Sequence, residues 1–452
     1  MPKTRDFTTG NPTPLMLKFA VPMMFTMVLQ NLYHTVNMIV VGRFVGQNAL
    51  AAVGTTGSIS MLVLMLITGA TMGMSVVISQ FYGAKDLVNV KKAISTSFYL
   101  ILSLAVICGG LGAIFARELL LLTQVPLDIV DDASIYLRIF LIGSIATAMY
   151  NMAVAIMRSL GDSLTPMIIL LISSVINITL SILFVTQFSH GVAGVAYATV
   201  SATFFSVLAS WTIIWKKLPI AHPTRETLKP DSAIIKMVLK IGIPSAIQHS
   251  TMAFGNVIIQ TIINGFGPIV IAGFSAATRI EMLVAYAPGG VTSAMQVFTG
   301  QNVGAQLYER VRQGFRSAVK VIAIFSVCSL TVLIIFGRSL VGIFTTEGGE
   351  MIEIGYRYLV ISGAGAMLIG MMYLTRATLT GAGDGLAVIY ISIIELAMRI
   401  SAALILSTYI GYIGAFIATV IGWAAASSFG FFRYKRGKWT EKGFVKQPVK
   451  LS

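Results

Sequence analysis

Charge is what this sequence has least of. Only 11% of its 452 residues are Asp, Glu, Lys or Arg, whereas soluble globular chains carry about a quarter. A soluble chain of this length would fold as roughly three domains, and each would need a charged surface that this composition does not supply. Cysteine is almost absent too. Cys108 and Cys328 both lie inside apolar runs, so neither a disulfide framework nor a cysteine metal site is implied. The 4 histidines are scattered, and there is no P-loop, metal-spaced His/Cys cluster or catalytic constellation. These absences speak against an enzyme, a resident cofactor and direct use of ATP.

What the chain has in quantity is apolar sequence, at 56% of residues. Runs long enough to cross a bilayer, about 20 residues each, recur at 15–41, 49–79, 93–115, 133–157, 164–186 and 191–215. A second set follows at 233–263, 270–299, 314–336, 354–379, 385–408 and 412–432. The expected fold is an all-α polytopic membrane protein of twelve transmembrane helices. Residues 1–215 read as an N-terminal lobe and 216–232, with Pro219, Pro223 and Pro230, as a polar linker. Residues 233–433 read as a C-terminal lobe and 434–452 as a basic tail.

The two sets resemble each other at an offset near 221 residues. LKFAVP (17–22) returns as LKIGIP (239–244), and QFYGA (80–84) as QNVGA (301–305). Gly161-Asp162 returns as Gly383-Asp384, and GVAGVAYATV (191–200) as GYIGAFIATV (411–420). Each repeat holds six spans, an even number, so both have the same orientation. A pseudo-twofold axis along the membrane normal is expected to relate them, with the substrate path between.

The net charge of +15 suggests a nucleic-acid binder only if the cations share a soluble surface, and no soluble module is long enough. They gather instead in alternate loops. Arg5, Lys85, Lys91, Lys92, Lys216, Lys217, Arg225, Lys229, Arg310, Arg312, Arg316 and the tail lie on one side. The other side has Arg43, Arg117 and Arg338 among acidic residues. The positive-inside rule then makes both termini cytoplasmic and places the chain in the cell membrane, most simply as a monomer whose surroundings are lipid.

Polar groups within the spans cost free energy unless partnered, so each one needs a reason. Gln30, His34 and Asn37 share a face of the first helix, with Tyr33 beside it. Gln248, His249, Asn256, Gln260 and Asn264 form a similar streak on the seventh. Both stripes suit a cavity lining or interhelical hydrogen bonding. Embedded carboxylates can exchange protons when a low dielectric favours their neutral form, and two stand out. Glu281 is read near the outer end of the eighth helix beside Arg279. Glu395 has Arg399 one turn on, the spacing of a structural ion pair. Asp162 and Asp384 read as turn or capping residues. Among the 23 methionines, several could line a deformable surface tolerant of many ligand shapes.

With these features assembled, the sequence resembles the multidrug and toxic compound extrusion (MATE) family. The resemblance rests on the six-plus-six repeat, QNLYHTVNMIVVGRFVG (30–46), ALAAVG (49–54), SQFYGAKD (79–86), RSLGDSLTP (158–166), TRIE (278–281) and TGQNVGA (299–305). It runs from about residue 13 to 435. It implies an antiporter that exports amphipathic or cationic compounds in exchange for H⁺ or Na⁺ by alternating access, as in bacterial inner-membrane pumps that confer antibiotic resistance. The chain departs from the family in the first helix, and helix seven, around Gln248 to Asn256, also lacks the acidic residue found in some branches. Where the family commonly has Val-Asp-Thr in the first helix, this chain has Val36-Asn37-Met38, and asparagine does not titrate. Coupling is then expected at Glu281 or Glu395, or at His34 and His249, since imidazole titrates near neutrality. The same superfamily contains flippases for lipid-linked cell-envelope precursors. That alternative calls for a cationic cavity, whereas the embedded bases are few: Arg138, Arg279, Arg357, Arg376 and Arg399.

Overall fold

A long apolar run inside hydrocarbon satisfies its own N–H and C=O groups only as a helix, and helices build this chain. The computed structural model describes residues 4–188, 191–344 and 349–445, without the side chains of His34 and residues 47–49. The first repeat comprises α1 (Pro12–Phe44), α2 (Gln47–Thr55), α3 (Gly57–Gly83), α4 (Leu87–Ile114), α5 (Ala116–Leu122), α6 (Val130–Ser159), α7 (Leu164–Thr186) and α8 (Gly191–Lys217). The second comprises α9 (Ser232–Asn264), α10 (Pro268–Gly304), α11 (Tyr308–Gly342), α12 (Glu350–Ala364), α13 (Ala366–Ala382), α14 (Gly385–Ile410) and α15 (Tyr412–Lys435).

Among the described residues, 10 helices are long and apolar enough to cross a membrane. The pair α12 and α13, bent by 50° at Gly365, makes an eleventh span. The twelfth is α9. It is 33 residues long, but Gln248, His249, Ser250, Asn256 and Gln260 keep its middle too polar to qualify by composition. The architecture is therefore twelve helices in two repeats, and the chain is a multi-pass membrane protein.

The repeat is visible in backbone detail. After α3 the amides of Ala84, Lys85 and Asp86 donate to the carbonyls of Gln80, Tyr82 and Phe81. After α10 those of Ala305, Gln306 and Leu307 donate to Gln301, Val303 and Asn302. Lys85 and Gln306 both take positive φ, 60° and 59°, which turns each chain sharply out of its helix. Gly161 and Gly383 form a second matched pair, at φ 85° and 93°. A side chain at Gly161 would strike the Arg5 backbone, and one at Gly383 would meet the Lys442 carbonyl at 2.8 Å. Each of these turns is thus covered by a terminal segment of the chain.

The helices cluster into two units. One comprises Phe25–Ala246 with the described residues up to Asp6; the other comprises Phe7–Met24 and the described part of Ile247–Pro448. The division therefore falls inside α1 and α9, not in the polar linker at 216–232. Each of these helices carries a proline just before the division, Pro22 and Pro244, and a proline inside a helix removes one backbone bond and bends the axis. Small residues make the resulting packing tight. In the first unit a Cβ on Gly69 would lie 2.6 Å from the Gly242 carbonyl, and one on Gly73 would overlap that of Val238. In the second unit a Cβ on Gly290 would lie 2.7 Å from the Ala20 carbonyl. The segment from Phe7 is anchored in the second unit. Phe7 is fully buried with its ring edge-on to Phe19 and Phe298, and its amide donates to Gln301 Oε1 at 2.8 Å. Burial of one such ring contributes roughly 1.5–3 kcal/mol.

Candidate functional site

Each unit holds one cluster of polar side chains at membrane depth. In the first unit the Tyr33 hydroxyl lies within hydrogen-bonding reach of Asn37, on its own helix, and of Thr199 on α8. Asn177 on α7 donates to Thr199 Oγ1 at 3.2 Å. Asn177 and Ser181, one turn apart, are fully buried. The oxygens Asn37 Oδ1, Asn177 Oδ1 and Ser181 Oγ have no hydrogen-bond partner. The cluster therefore presents neutral oxygens and hydroxyls and contains no carboxylate. Gln30 is exposed, and the His34 side chain lies outside the described residues. Of the first-helix stripe, the structure places Tyr33 and Asn37 in the cluster.

The second unit holds the charges. Glu281 is the fourteenth residue of α10, about 20 Å in from the helix start at 1.5 Å per residue. This corrects the expectation that it sits near a helix end; the helix begins at Pro268, so Glu281 lies deep within the span. Its Oε2 accepts a 2.7 Å hydrogen bond from the Tyr358 hydroxyl on α12. Tyr358 is only 2% exposed, and Phe274 and Phe416 meet its ring edge-on at 5.0 Å each. Packing therefore fixes where the hydroxyl points. No donor reaches Glu281 Oε1 in hydrogen-bonding geometry. No Lys or Arg lies within ion-pair distance of Glu281 among the described residues, although Arg399 is near enough to interact with it through charge.

Beside Glu281 lies a cavity of about 30 Å³, lined also by Val284, Pro288, Ser326, Ser362 and Gly363. It has room for about two waters. Most of its lining is apolar, with Phe325, Leu333, Ile369 and Trp423, so the Glu281 carboxyl and the Ser326 and Ser362 hydroxyls supply its side-chain oxygens. Such a donor set suits a proton or a hard monovalent cation better than a transition metal. No His/Cys/Asp/Glu group able to hold a metal occurs among the described residues.

Glu395, on α14, was expected to pair with Arg399. It binds Arg376 of α13 instead, Nη2 to Oε2 at 2.7 Å, with side-chain exposures of 3% and 9%. The reason is burial: a guanidinium as enclosed as that of Arg376 is strongly destabilising unless a counter-charge meets it. Arg399 instead gives Nη1 to Asn256 Oδ1 on α9 at 3.1 Å. Arg376 Nη1 also reaches Met252 Sδ at 3.9 Å, and His249 lies close to Arg376. His249, Met252 and Asn256, spaced three and four residues apart, thus present one face of α9 towards the two arginines. Gln248 is half-buried, while Gln260 donates to Asn264 on its own exposed face at 2.8 Å.

The bland reading of the two loop aspartates holds for one of them. Asp162 caps α7 by accepting from the amides of Leu164 and Thr165. Asp384 makes no such cap; its Oδ2 takes both Nε and Nη2 of Arg433, at 2.9 and 2.8 Å.

Sequence reasoning missed Tyr358, Thr199, Asn177 and Ser181 as members of these clusters. A signal for two of them was available. Ser173, Asn177 and Ser181 recur every four residues within an otherwise apolar helix, so they share one face.

The comparisons agree with this architecture. The MatE family model matches residues 22–183 and again 244–405, one copy per repeat. The probable multidrug resistance protein YpnP of Bacillus subtilis strain 168 is 28% identical over 440 residues, covering 97% of this chain and 98% of its own. YoeA of the same strain, also named a probable multidrug resistance protein, is 27% identical, covering 89% and 90%. A crystal structure of a MATE protein in the bent conformation superposes with a TM-score of 0.90 at 25% identity, over 97% of this chain and 99% of that one. With both repeats matched and the twelve-helix fold shared, the chain belongs to the MatE family.

Proposed function

We propose that the chain is a multidrug exporter of the plasma membrane, with both termini cytoplasmic. It exchanges amphipathic or cationic organic compounds for an entering H⁺ or Na⁺ by alternating access. The observation that carries the coupling assignment is Glu281. It is a deeply placed carboxyl group with one oxygen held by Tyr358, the other free, and a water-sized cavity beside it. No Lys or Arg is within ion-pair distance of it among the described residues, Arg399 acting on it only through longer-range charge, so it is not locked in a salt bridge as Glu395 is. Glu395, fixed to Arg376, serves as structure in this reading. The neutral cluster of Tyr33, Asn37, Thr199 and Asn177 contributes hydrogen bonds to passing substrate.

The names of the two Bacillus relatives support export of drug-like molecules. The pairing of Arg376 with Glu395 further reduces the free positive charge that a flippase for pyrophosphate-bearing lipids would need. Coupling requires ion and substrate to favour different conformations, and a proteoliposome assay reads that directly. Ethidium counterflow is followed under separately imposed ΔpH and Na⁺ gradients. Glu281→Gln is expected to abolish gradient-driven export, whereas Asn37→Ala keeps its ion dependence. Unchanged coupling in Glu281→Gln would overturn the assignment.

A further inference from the structure

Away from Glu281, the polar ends of α11 and α15 enclose a surface cavity of about 570 Å³. Four of its lining residues are basic, Arg312, Arg316, Lys320 and Lys435, and none is acidic. Arg312 is held by Glu309 at 2.9 Å. Arg316, Lys320 and Lys435 make no ion pair among the described residues. The floor is aromatic. Phe315 stacks on Tyr434 at 4.1 Å, and Trp439 stacks on the other part of this assembly, 5.7 Å from Tyr434. With Trp439 and Phe315 both buried, the cavity is preformed.

The sequence of α11 explains what would fit. Arg312, Arg316 and Lys320 recur every four residues, about 6 Å apart along one face. The next residues on that face, Ile324 and Val327, are each 66% exposed. One helix face therefore changes within a turn from cationic to apolar, the same order as the headgroup and acyl chain of a lipid. Phe431 on α15 adds an exposed apolar wall. Guanidinium groups match phosphate oxygens in geometry as well as charge, and tyrosine and tryptophan favour the headgroup level of a bilayer.

We propose that this cavity binds the headgroup of an anionic phospholipid, with an acyl chain lying along Ile324 and Val327. The phosphate sits between Arg316, Lys320 and Lys435, and the stacked rings carry the glycerol end. The site is separate from the transport clusters.

Purified protein in neutral detergent is titrated with dioctanoyl phosphatidylglycerol, dioctanoyl phosphatidylcholine or inorganic phosphate. Native mass spectrometry and the tryptophan emission read binding. Phosphatidylglycerol is expected to bind in one saturable step, at least tenfold more tightly than phosphatidylcholine. Each basic residue near a charged lipid contributes about fivefold, so Arg316→Gln with Lys320→Gln weakens binding about 25-fold. Lys216→Gln with Lys217→Gln removes the same charge from the end of α8, outside the cavity, and leaves the affinity unchanged. Equal binding of the two lipids, or equal losses in the two double variants, overturns the proposal. Displacement of the lipid by an equal concentration of inorganic phosphate assigns the site to a soluble phosphate and overturns it as well.

Discussion

Removal of Glu395 alone should be far more costly than removal of Glu395 together with Arg376. At 2.7 Å and an effective dielectric near 20, the attraction of the pair is about 6 kcal/mol before desolvation. Each ion loses several kcal/mol of hydration on burial, so the net contribution of the intact pair is small. Glu395→Leu leaves the Arg376 guanidinium enclosed, and its Nε already lacks a partner. That change is expected to cost about 3–5 kcal/mol. Arg376→Met, which strands the carboxylate, should cost a similar amount. The double variant restores an apolar contact and should fall within about 2 kcal/mol of the native protein, giving a coupling energy above about 3 kcal/mol. Unfolding titrations in mixed micelles, read by tryptophan emission, measure all four proteins. Single costs below about 1 kcal/mol, or losses that simply add in the double variant, would refute the reasoning.

Three further outcomes follow from the packing. Gly73→Ala should destabilise by about 1–3 kcal/mol through overpacking against the Val238 carbonyl, whereas Gly110→Ala, with open space around its Cβ, should gain up to about 1 kcal/mol of helix propensity; the same micelle titration separates them by sign. Asp162→Asn should keep the cap and cost little, while Asp384→Asn loses a charge-assisted contact with Arg433 worth about 1.5–3 kcal/mol; equal thermal shifts would contradict the different roles of these matched residues. Tyr358→Phe should lose about 1.5–3 kcal/mol by withdrawing the donor to Glu281, and Glu281→Gln with Tyr358→Phe should then be non-additive in thermal denaturation.

Periodicity and hydropathy made the twelve spans legible because a bilayer demands long apolar helices and little else of them. The repeat was legible because turn chemistry recurs: Gly161 and Gly383 occupy the same left-handed position. Partner choice was not. Glu395 and Arg399 have the spacing of an ion pair, but Arg376, nineteen residues earlier, takes the carboxylate, because burial selects among candidates and only packing decides burial. Asp162 and Asp384 share a Gly-Asp step in sequence and differ in what faces them, since Thr165 binds the first and Arg433 the second. The depth of Glu281, by contrast, was legible: it is the twelfth residue of the apolar run at 270–299, and the helix itself begins only two residues earlier, at Pro268.

The placement of Pro22 and Pro244 has a consequence for ancestry. Each repeat surrenders the front of its first helix, Phe7–Met24 in one case and the segment ending at Ala246 in the other, to the unit formed by its sibling. A gene encoding one repeat alone would have made a protein with an unfilled groove beside its second helix and an arm with nowhere of its own to dock. Two such copies would have closed each other by exchanging arms, an obligate homodimer. Within the single chain the exchange is built in, so neither repeat holds by itself the arm that packs against its own second helix.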